Sequence, residues 1–371
     1  MGFWHSAKGS LMASSYYSWD VVHHHRDPSM RLSPAGILLS LLSFFPLTGC
    51  AGPYVFQGKT IETVPELTAD AALMPDGFTL PVLIVNGRPG PPRAVVLALH
   101  GFNDYSRSFL SFGEYLAARN ITLIAYDQRG FGRTEGRRYW HGAAKLTGDL
   151  RTMVRLLKQK YQGTPLFILG DSMGGAVILA AQKELQAEGG YAGVTLVAPA
   201  VWARNTMPWY QRSTLWLFAH LLPWFGVSGK GLDIDPSDNI EMLRELGRDP
   251  LVIKTTRVDA VYGLSTLMDE ALASAGSLAG RAMILYGRND EIIPRQPTCE
   301  MLKRLPSDEE MDWRFVLYDH GHHMLLRDLQ AEVVHHDIEQ WIGNILESSE
   351  SQQETIAGGA GTEDIDFLCN E

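Results

Sequence analysis

The sequence predicts an α/β protein in which a mostly parallel central sheet is flanked by helices and carries an aromatic-rich, partly helical insertion. Three observations predict it. From Gly77 onward, short aliphatic or β-branched runs alternate with amphipathic segments, the order expected of strands joined by crossover helices. Most of those runs show little polar alternation, as in strands buried on both faces. Between Val201 and Ser277 the alternation stops, and the chain becomes rich in large aromatics, with Trp202, Trp209, Tyr210, Trp216, Phe218, Trp224 and Phe225. That segment reads as an insertion between two core strands.

Residues 1–29 lack apolar periodicity and read as a disordered or non-native leader, with Met30 as the natural start. The run His23 to His25 within it reads as an exposed polar stretch. Residues 30–50 have the order of a secretory signal: Arg31, an apolar run from Ala35 to Leu47, then small residues before Cys50. The run is shorter than the ~20 apolar residues a spanning helix needs. Its end, "LTGC", resembles the lipobox of bacterial lipoproteins, which implies lipidation of Cys50 and attachment to the cell envelope. Ala51 and Gly52 lack the aspartate associated with inner-membrane retention, so an outer-membrane address is preferred. Residues 51–75 read as a spacer.

The expected strands are "FTLPVLIV", "AVVLALH", "ITLIAYD", "LFILGD", "VTLVAP", "AMILYG" and "RFVLYD". They assign a core to residues 76–200 and 278–347, with the aromatic-rich insertion over 201–277. Residues 348–371 hold six acidic residues and no Lys or Arg, and read as a disordered acidic tail. They account for much of the formal charge of −10. With no Lys/Arg-rich run, the chain has no electrostatic footprint for nucleic acid. The three cysteines, Cys50, Cys299 and Cys369, have no Cys-x-x-Cys spacing, so neither a disulfide framework nor a zinc site is expected.

Chemistry enters at "FILGDSMGGAV". Gly170-Asp171-Ser172-Met173-Gly174 fits Gly-x-Ser-x-Gly between a strand and a helix, the setting in which a sharp turn exposes a nucleophilic serine hydroxyl. Such a serine needs a base, and the base needs a carboxylate to fix its tautomer. Both are expected after later strands. "YGRNDEIIP" offers Asp290, with Glu291 as rival, and "YDHGHHMLLRD" offers His320, His322 and His323. His335 and His336 read as ordinary helix residues. A metal site from His320, His322 and Asp319 is conceivable, but a serine hydrolase needs no metal or cofactor, and none is assigned. The oxyanion donors expected are the backbone N–H groups of Met173 and Phe102, the latter on the turn "LHGFND", where His100 organises the backbone.

Together "LHGFNDYS", "YDQRGFGRTEG", "GDSMGGAV", "LYGRNDEIIP" and "HHMLLRD" resemble the α/β-hydrolase superfamily, in its monoacylglycerol lipase and lysophospholipase branch, sometimes grouped with serine aminopeptidases. The resemblance runs from Gly77 to Leu346. It implies Ser172 as nucleophile, Asp290 as acid and His323 as base. His322 falls where relatives usually carry an aromatic. It also implies a lid at the aromatic insertion and a lipid ester substrate cleaved through an acyl-enzyme. Aminopeptidase-like amide hydrolysis would use the same three residues, with Asp233, Asp235 and Asp238 as candidates for a substrate amine. A noncatalytic, ligand-binding surface lipoprotein is the reading from another class. Serine rather than aspartate at 172 excludes haloalkane dehalogenase chemistry. The lid tryptophans are expected mainly to pack the lid onto the core.

Overall fold

A computed structural model describes residues 52–58, 60–229, 231, 234–306, 312–351 and 362–370. The chain divides into two units, 1–49 and 50–371, and every described residue belongs to the second. The leader with its histidine run, the signal segment, Cys50 and Asp233 lie outside the described residues.

The strands in chain order are β1 (Glu66–Leu67), β2 (Ala71–Leu73), β3 (Thr79–Val85), β4 (Ala94–Leu99), β5 (Ile121–Tyr126), β6 (Leu166–Asp171), β7 (Gly193–Val197), β8 (Gly226–Val227), β9 (Thr256–Arg257), β10 (Ala282–Gly287) and β11 (Trp313–Tyr318). Nine of them form one sheet in the order β1-β2-β3-β5-β4-β6-β7-β10-β11. β1, β2 and β3 pair antiparallel, β3 pairs antiparallel with β5, and every pairing from β5 to β11 is parallel.

The central strands are buried on both faces. On β4, Val95, Leu97 and Leu99 enter one apolar cluster, while Ala94, Val96 and Ala98 enter the other. β10 divides likewise, with Ile284 and Tyr286 on one side and Met283 and Leu285 on the other. This is why these strands show no polar alternation.

The helices are α1 (Leu110–Ala117), α2 (Ala143–Lys160), α3 (Met173–Ala180), α4 (Gln182–Ala187), α5 (Trp209–Leu221), α6 (Ile240–Arg248), α7 (Val258–Ser274), α8 (Arg295–Leu302), α9 (Ala331–Ser351) and α10 (Thr362–Asn370). α2, α3, α7 and α8 cover the first face through residues such as Leu150, Val177, Leu267 and Met301. α1 and α9 cover the second through Phe112, Leu116, Ile338 and Trp341. No helix among the described residues is long and apolar enough to cross a membrane.

Several sequence expectations are corrected here. The segment read as a spacer is partly built into the fold: β1 and β2 extend the sheet edge, and the Thr63 hydroxyl donates to the Met74 carbonyl at 2.7 Å. The Phe56 N–H donates to the Trp140 carbonyl at 2.8 Å. Strands of two and three residues are too short to show a period. An ion-pair network locks this edge: the nearly buried Arg129 binds Asp149 at 2.6 Å and Asp76 at 2.8 Å.

The acidic tail is not wholly without structure either. α10 lays Ile365, Leu368 and Cys369 against the core, and Cys369 is disulfide-bonded to Cys299 of α8. Their spacing of three and four places them on one helical face, a signal outweighed in the sequence by the surrounding acids. A separation of 70 residues hides the pairing from any local motif.

The insertion also differs from expectation. The C-terminal part of 201–277 belongs to the core layer: α7 buries Leu267, Met268, Ala271 and Leu272. Gly263 fits against Trp140, where an added Cβ would lie 2.4 Å from the indole. Trp209, Trp216 and Trp224 do not pack the lid down; they are 73%, 52% and 61% exposed.

Candidate active site

Ser172 sits between β6 and α3 with φ of 50° and ψ of −111°, in the left-handed region that ordinary residues avoid. The turn is held from both sides: the Ser172 N–H donates to the Val197 carbonyl at 2.9 Å, and the Ser172 carbonyl accepts from Ala200 N–H at 2.9 Å. The glycines around it are steric necessities. A Cβ at Gly174 would lie 2.0 Å from the Leu99 carbonyl oxygen, and one at Gly170 would lie 2.5 Å from the Gly174 carbonyl carbon. Only bare backbones let strand and helix cross this closely.

Asp290 and His323 stand in the loops after β10 and β11, at the same carboxyl end of the parallel strands as Ser172. The two loops touch: a Cβ at Gly287 would meet the His322 carbonyl oxygen at 2.4 Å, and Asn289 N–H donates to the Gly321 carbonyl. The contact brings the predicted residues together. His323 Nε2 lies 2.9 Å from Ser172 Oγ, and its Nδ1 lies 2.8 Å from Asp290 Oδ2. Asp290 Oδ1 is held by the N–H groups of Ile292 and Ile293 at 2.8 and 2.9 Å. With the acceptor Asp290 on Nδ1, the proton of the neutral ring resides there and Nε2 is free to accept from Ser172.

Burial opposes charging of His323, but the Asp290 charge and hydrogen bond outweigh it, so its pKa lies above the ordinary imidazole value. The rival candidates have other neighbours: Glu291 accepts from Asp235 N–H at 2.7 Å, Asp319 pairs with Arg288 at 3.2 Å, and the His322 imidazole lies beside Asp328, with Nδ1 3.9 Å from Oδ2.

The turn after β4 faces the serine: a Cβ at Gly101 would lie 3.4 Å from Ser172 Cβ. Met173 opens α3, so its N–H has no carbonyl one turn back to meet. The turn carrying Gly101 and Phe102 and the first residue of α3, Met173, therefore both border Ser172. His100 supports the turn from beneath. Its Nε2 accepts from Gln128 N–H at 2.9 Å, leaving the proton on Nδ1 to donate to the Gly101 carbonyl at 2.8 Å. Burial lowers its pKa, which keeps the ring neutral. The loop "DQRGFGRTEG" adds a second brace through Asp127, which accepts from both the N–H and the hydroxyl of Ser106.

Above Ser172 and His323 lies a cavity of about 560 Å³. Its apolar wall includes Phe102, Trp202, Leu215, Leu264 and Met268. Its polar lining includes Asp171, Asp104 and Arg327, of which the last two form an ion pair at 2.6 Å. Burial raises the Asp171 pKa to about 6. The sequence does not single out these polar lining residues, although Asp171 lies within the serine motif and Arg327 within the histidine motif. Of the carboxylates proposed for a substrate amine, Asp238 accepts from Leu329 N–H and Asp235 is bound through its N–H to Glu291.

Residues 90–330 match the family model described as serine aminopeptidase, S33. The chain belongs to this family. Among curated relatives, this member is 25% identical to a monoacylglycerol lipase of Mycolicibacterium smegmatis over 257 residues, covering 68% of this chain and 88% of that one. It is 23% identical to the human monoglyceride lipase over 295 residues, covering 73% and 86%. The fold is that of solved α/β-hydrolases. A monoglyceride lipase from Saccharomyces cerevisiae superposes with a TM-score of 0.61 at 21% identity, covering 79% of this chain and 98% of that one. The Paleococcus ferrophilus monoacylglycerol lipase gives 0.59 at 19%, covering 72% and 99%.

Proposed function

We propose that the protein is a serine hydrolase that cleaves carboxylic esters of lipids, with monoacylglycerol as the favoured substrate class and lysophospholipid as the neighbouring one. The observation that carries this reading is the linear array Ser172–His323–Asp290 beside a largely apolar cavity. His323 Nε2 takes the proton of Ser172 as Oγ forms a bond to the ester carbonyl carbon. The carbonyl oxygen gains the negative charge, and the N–H groups of Phe102 and Met173 stabilise it. Collapse of this intermediate breaks the bond to the alcohol oxygen, which receives the proton from His323. Water then repeats the sequence on the acyl-enzyme: His323 takes its proton, the hydroxyl adds to the carbonyl, and Ser172 leaves protonated.

The acyl chain suits the apolar lining, and the polar alcohol suits Asp104, Asp171 and Arg327 in the same cavity. The names of the curated relatives support the ester class. Amide hydrolysis at an amino terminus is the second reading, favoured by Asp171: a carboxylate next to Ser172 in the cavity is a partner for an ammonium group. The purified chain and Ser172→Ala are to be assayed on a monoacylglycerol, a lysophospholipid and an aminoacyl amide. Ester turnover lost in the mutant supports the first reading. Turnover of the amide alone overturns it.

We further propose export and lipid attachment at Cys50, which would place the site beside a membrane of the cell envelope. The Cys299–Cys369 disulfide supports an oxidising compartment. The exposed Trp209, Trp216 and Trp224 offer the lid an apolar outer surface suited to lipid. Metabolic labelling with palmitate should tag the wild type and not Cys50→Ser. Equal labelling of both, or of neither, contradicts attachment there.

A further inference from the structure

Beside the histidine loop, three side chains with no role in the proposed chemistry converge. Asp238 comes from the segment before α6, and His322 and Asp328 come from the segment between β11 and α9. One ligand-type atom of each lies within 4.8 Å of the others. The carboxylates are already oriented by hydrogen bonds. Asp328 accepts from the Ser237 hydroxyl at 2.6 Å and from His322 N–H at 2.8 Å, and Asp238 Oδ1 accepts from Leu329 N–H at 2.8 Å. Each carboxylate has about four lone-pair sites, so these bonds leave acceptor capacity on both.

The third member is the informative one. His322 Nδ1 is buried, has no hydrogen-bond partner, and stands 3.9 Å from Asp328 Oδ2, too far for a hydrogen bond. A buried imidazole nitrogen without a partner, next to two carboxylates, leaves a cost that a shared cation would remove.

We propose that Asp238, His322 and Asp328 form a binding site for a divalent transition-metal ion, with Zn²⁺ the ion best suited to it. One imidazole nitrogen and two carboxylate oxygens suit a borderline cation, whereas Ca²⁺ and Mg²⁺ favour all-oxygen sites. Bonds of about 2.0–2.2 Å at tetrahedral angles put neighbouring ligand atoms roughly 3.4 Å apart. The 3.9 Å between His322 Nδ1 and Asp328 Oδ2 is within a small contraction of that. The Ser237 hydroxyl and the Leu329 N–H are the outer contacts that orient such ligands.

The grouping differs from the one conceivable in the sequence, since Asp319 is paired with Arg288 and Asp238 comes from the lid. The ion has a structural role. It ties the lid segment containing Asp238 to the loop in which His322 precedes His323.

The test compares the full chain with Asp238→Asn and His322→Phe after chelator treatment, by equilibrium dialysis against Zn²⁺ with metal analysis and by thermal melting. Asn at 238 retains an oxygen acceptor for Leu329 N–H and removes the charge, so it tests the site with little disturbance of the loop. The histidines at 23 to 25 can bind zinc in all three proteins, so the readout is the difference. The expected result is one bound equivalent fewer in each variant, with Zn²⁺ raising the Tm of the wild type alone and Ca²⁺ raising none. Equal zinc stoichiometry in the wild type and Asp238→Asn overturns the proposal. So does a wild-type Tm that Zn²⁺ does not move.

Discussion

At the residue scale, the array of Ser172, His323 and Asp290 gives sharp expectations. Ser172→Ala should lower ester turnover by about a millionfold, as loss of a nucleophile does in other serine hydrolases, with the fold retained by circular dichroism. Asp290→Asn should cost on the order of 10⁴-fold in kcat. The same change alters the pH profile. His323 must be neutral to accept a proton, so activity is absent below its pKa and rises as pH passes through it. Because Asp290 holds that pKa above the ordinary imidazole value, kcat/KM of the wild type should rise with a midpoint above that value, and the residual activity of Asp290→Asn with a lower one. A midpoint unmoved by the substitution would contradict the electrostatic role given to Asp290.

Gly174→Ala tests the steric argument at the elbow. Backbone must shift to relieve a 2.0 Å contact with Leu99, so stability should fall by at least about 1–3 kcal/mol, measured by denaturant unfolding. At this scale the serine was legible because its chemistry demands glycines at fixed offsets. Asp171 was not, because nothing in a sequence distinguishes a carboxylate that lines a cavity from one that caps a turn.

At the scale of elements, the central strands were legible because burial on both faces writes continuous apolar runs. What escaped were elements held by partners distant in sequence. β1 and β2 depend on pairing along the sheet edge, and α10 depends on Cys299, 70 residues away. The disulfide closing that loop should contribute about 2–4 kcal/mol. Cys369→Ser should therefore unfold at lower denaturant than the oxidised wild type and match the reduced wild type. Identical midpoints for all three would show that the disulfide adds nothing to stability.

The edge network makes a parallel prediction. Arg129→Met leaves Asp149 buried without its partner, so a loss of about 3–5 kcal/mol is expected in denaturant unfolding. A loss below about 1 kcal/mol would mean that solvent reaches Asp149 in the folded chain.

For the whole molecule, the order serine, acid, histidine along the chain was readable because each falls where one parallel strand ends, and a parallel sheet gathers those ends on one side. The lid was legible as an interruption but not in its packing. α7 joins the core through Leu267 and Met268, while three tryptophans of the remainder face outward. Aromatic composition alone cannot tell a tryptophan that covers a core from one that faces outward, because both have the same apolar surface. The proposed mechanism requires Ser172, alone among the serines, to be reactive enough to form an acyl-enzyme. The most direct measurement is peptide mass mapping after treatment with an alkyl fluorophosphonate. The expected adduct lies on the peptide containing Ser172, disappears when His323 is replaced by alanine, and forms in step with loss of ester turnover. An unlabelled Ser172 in folded, ester-cleaving protein, or a stoichiometric adduct elsewhere, would contradict Ser172 as the nucleophile.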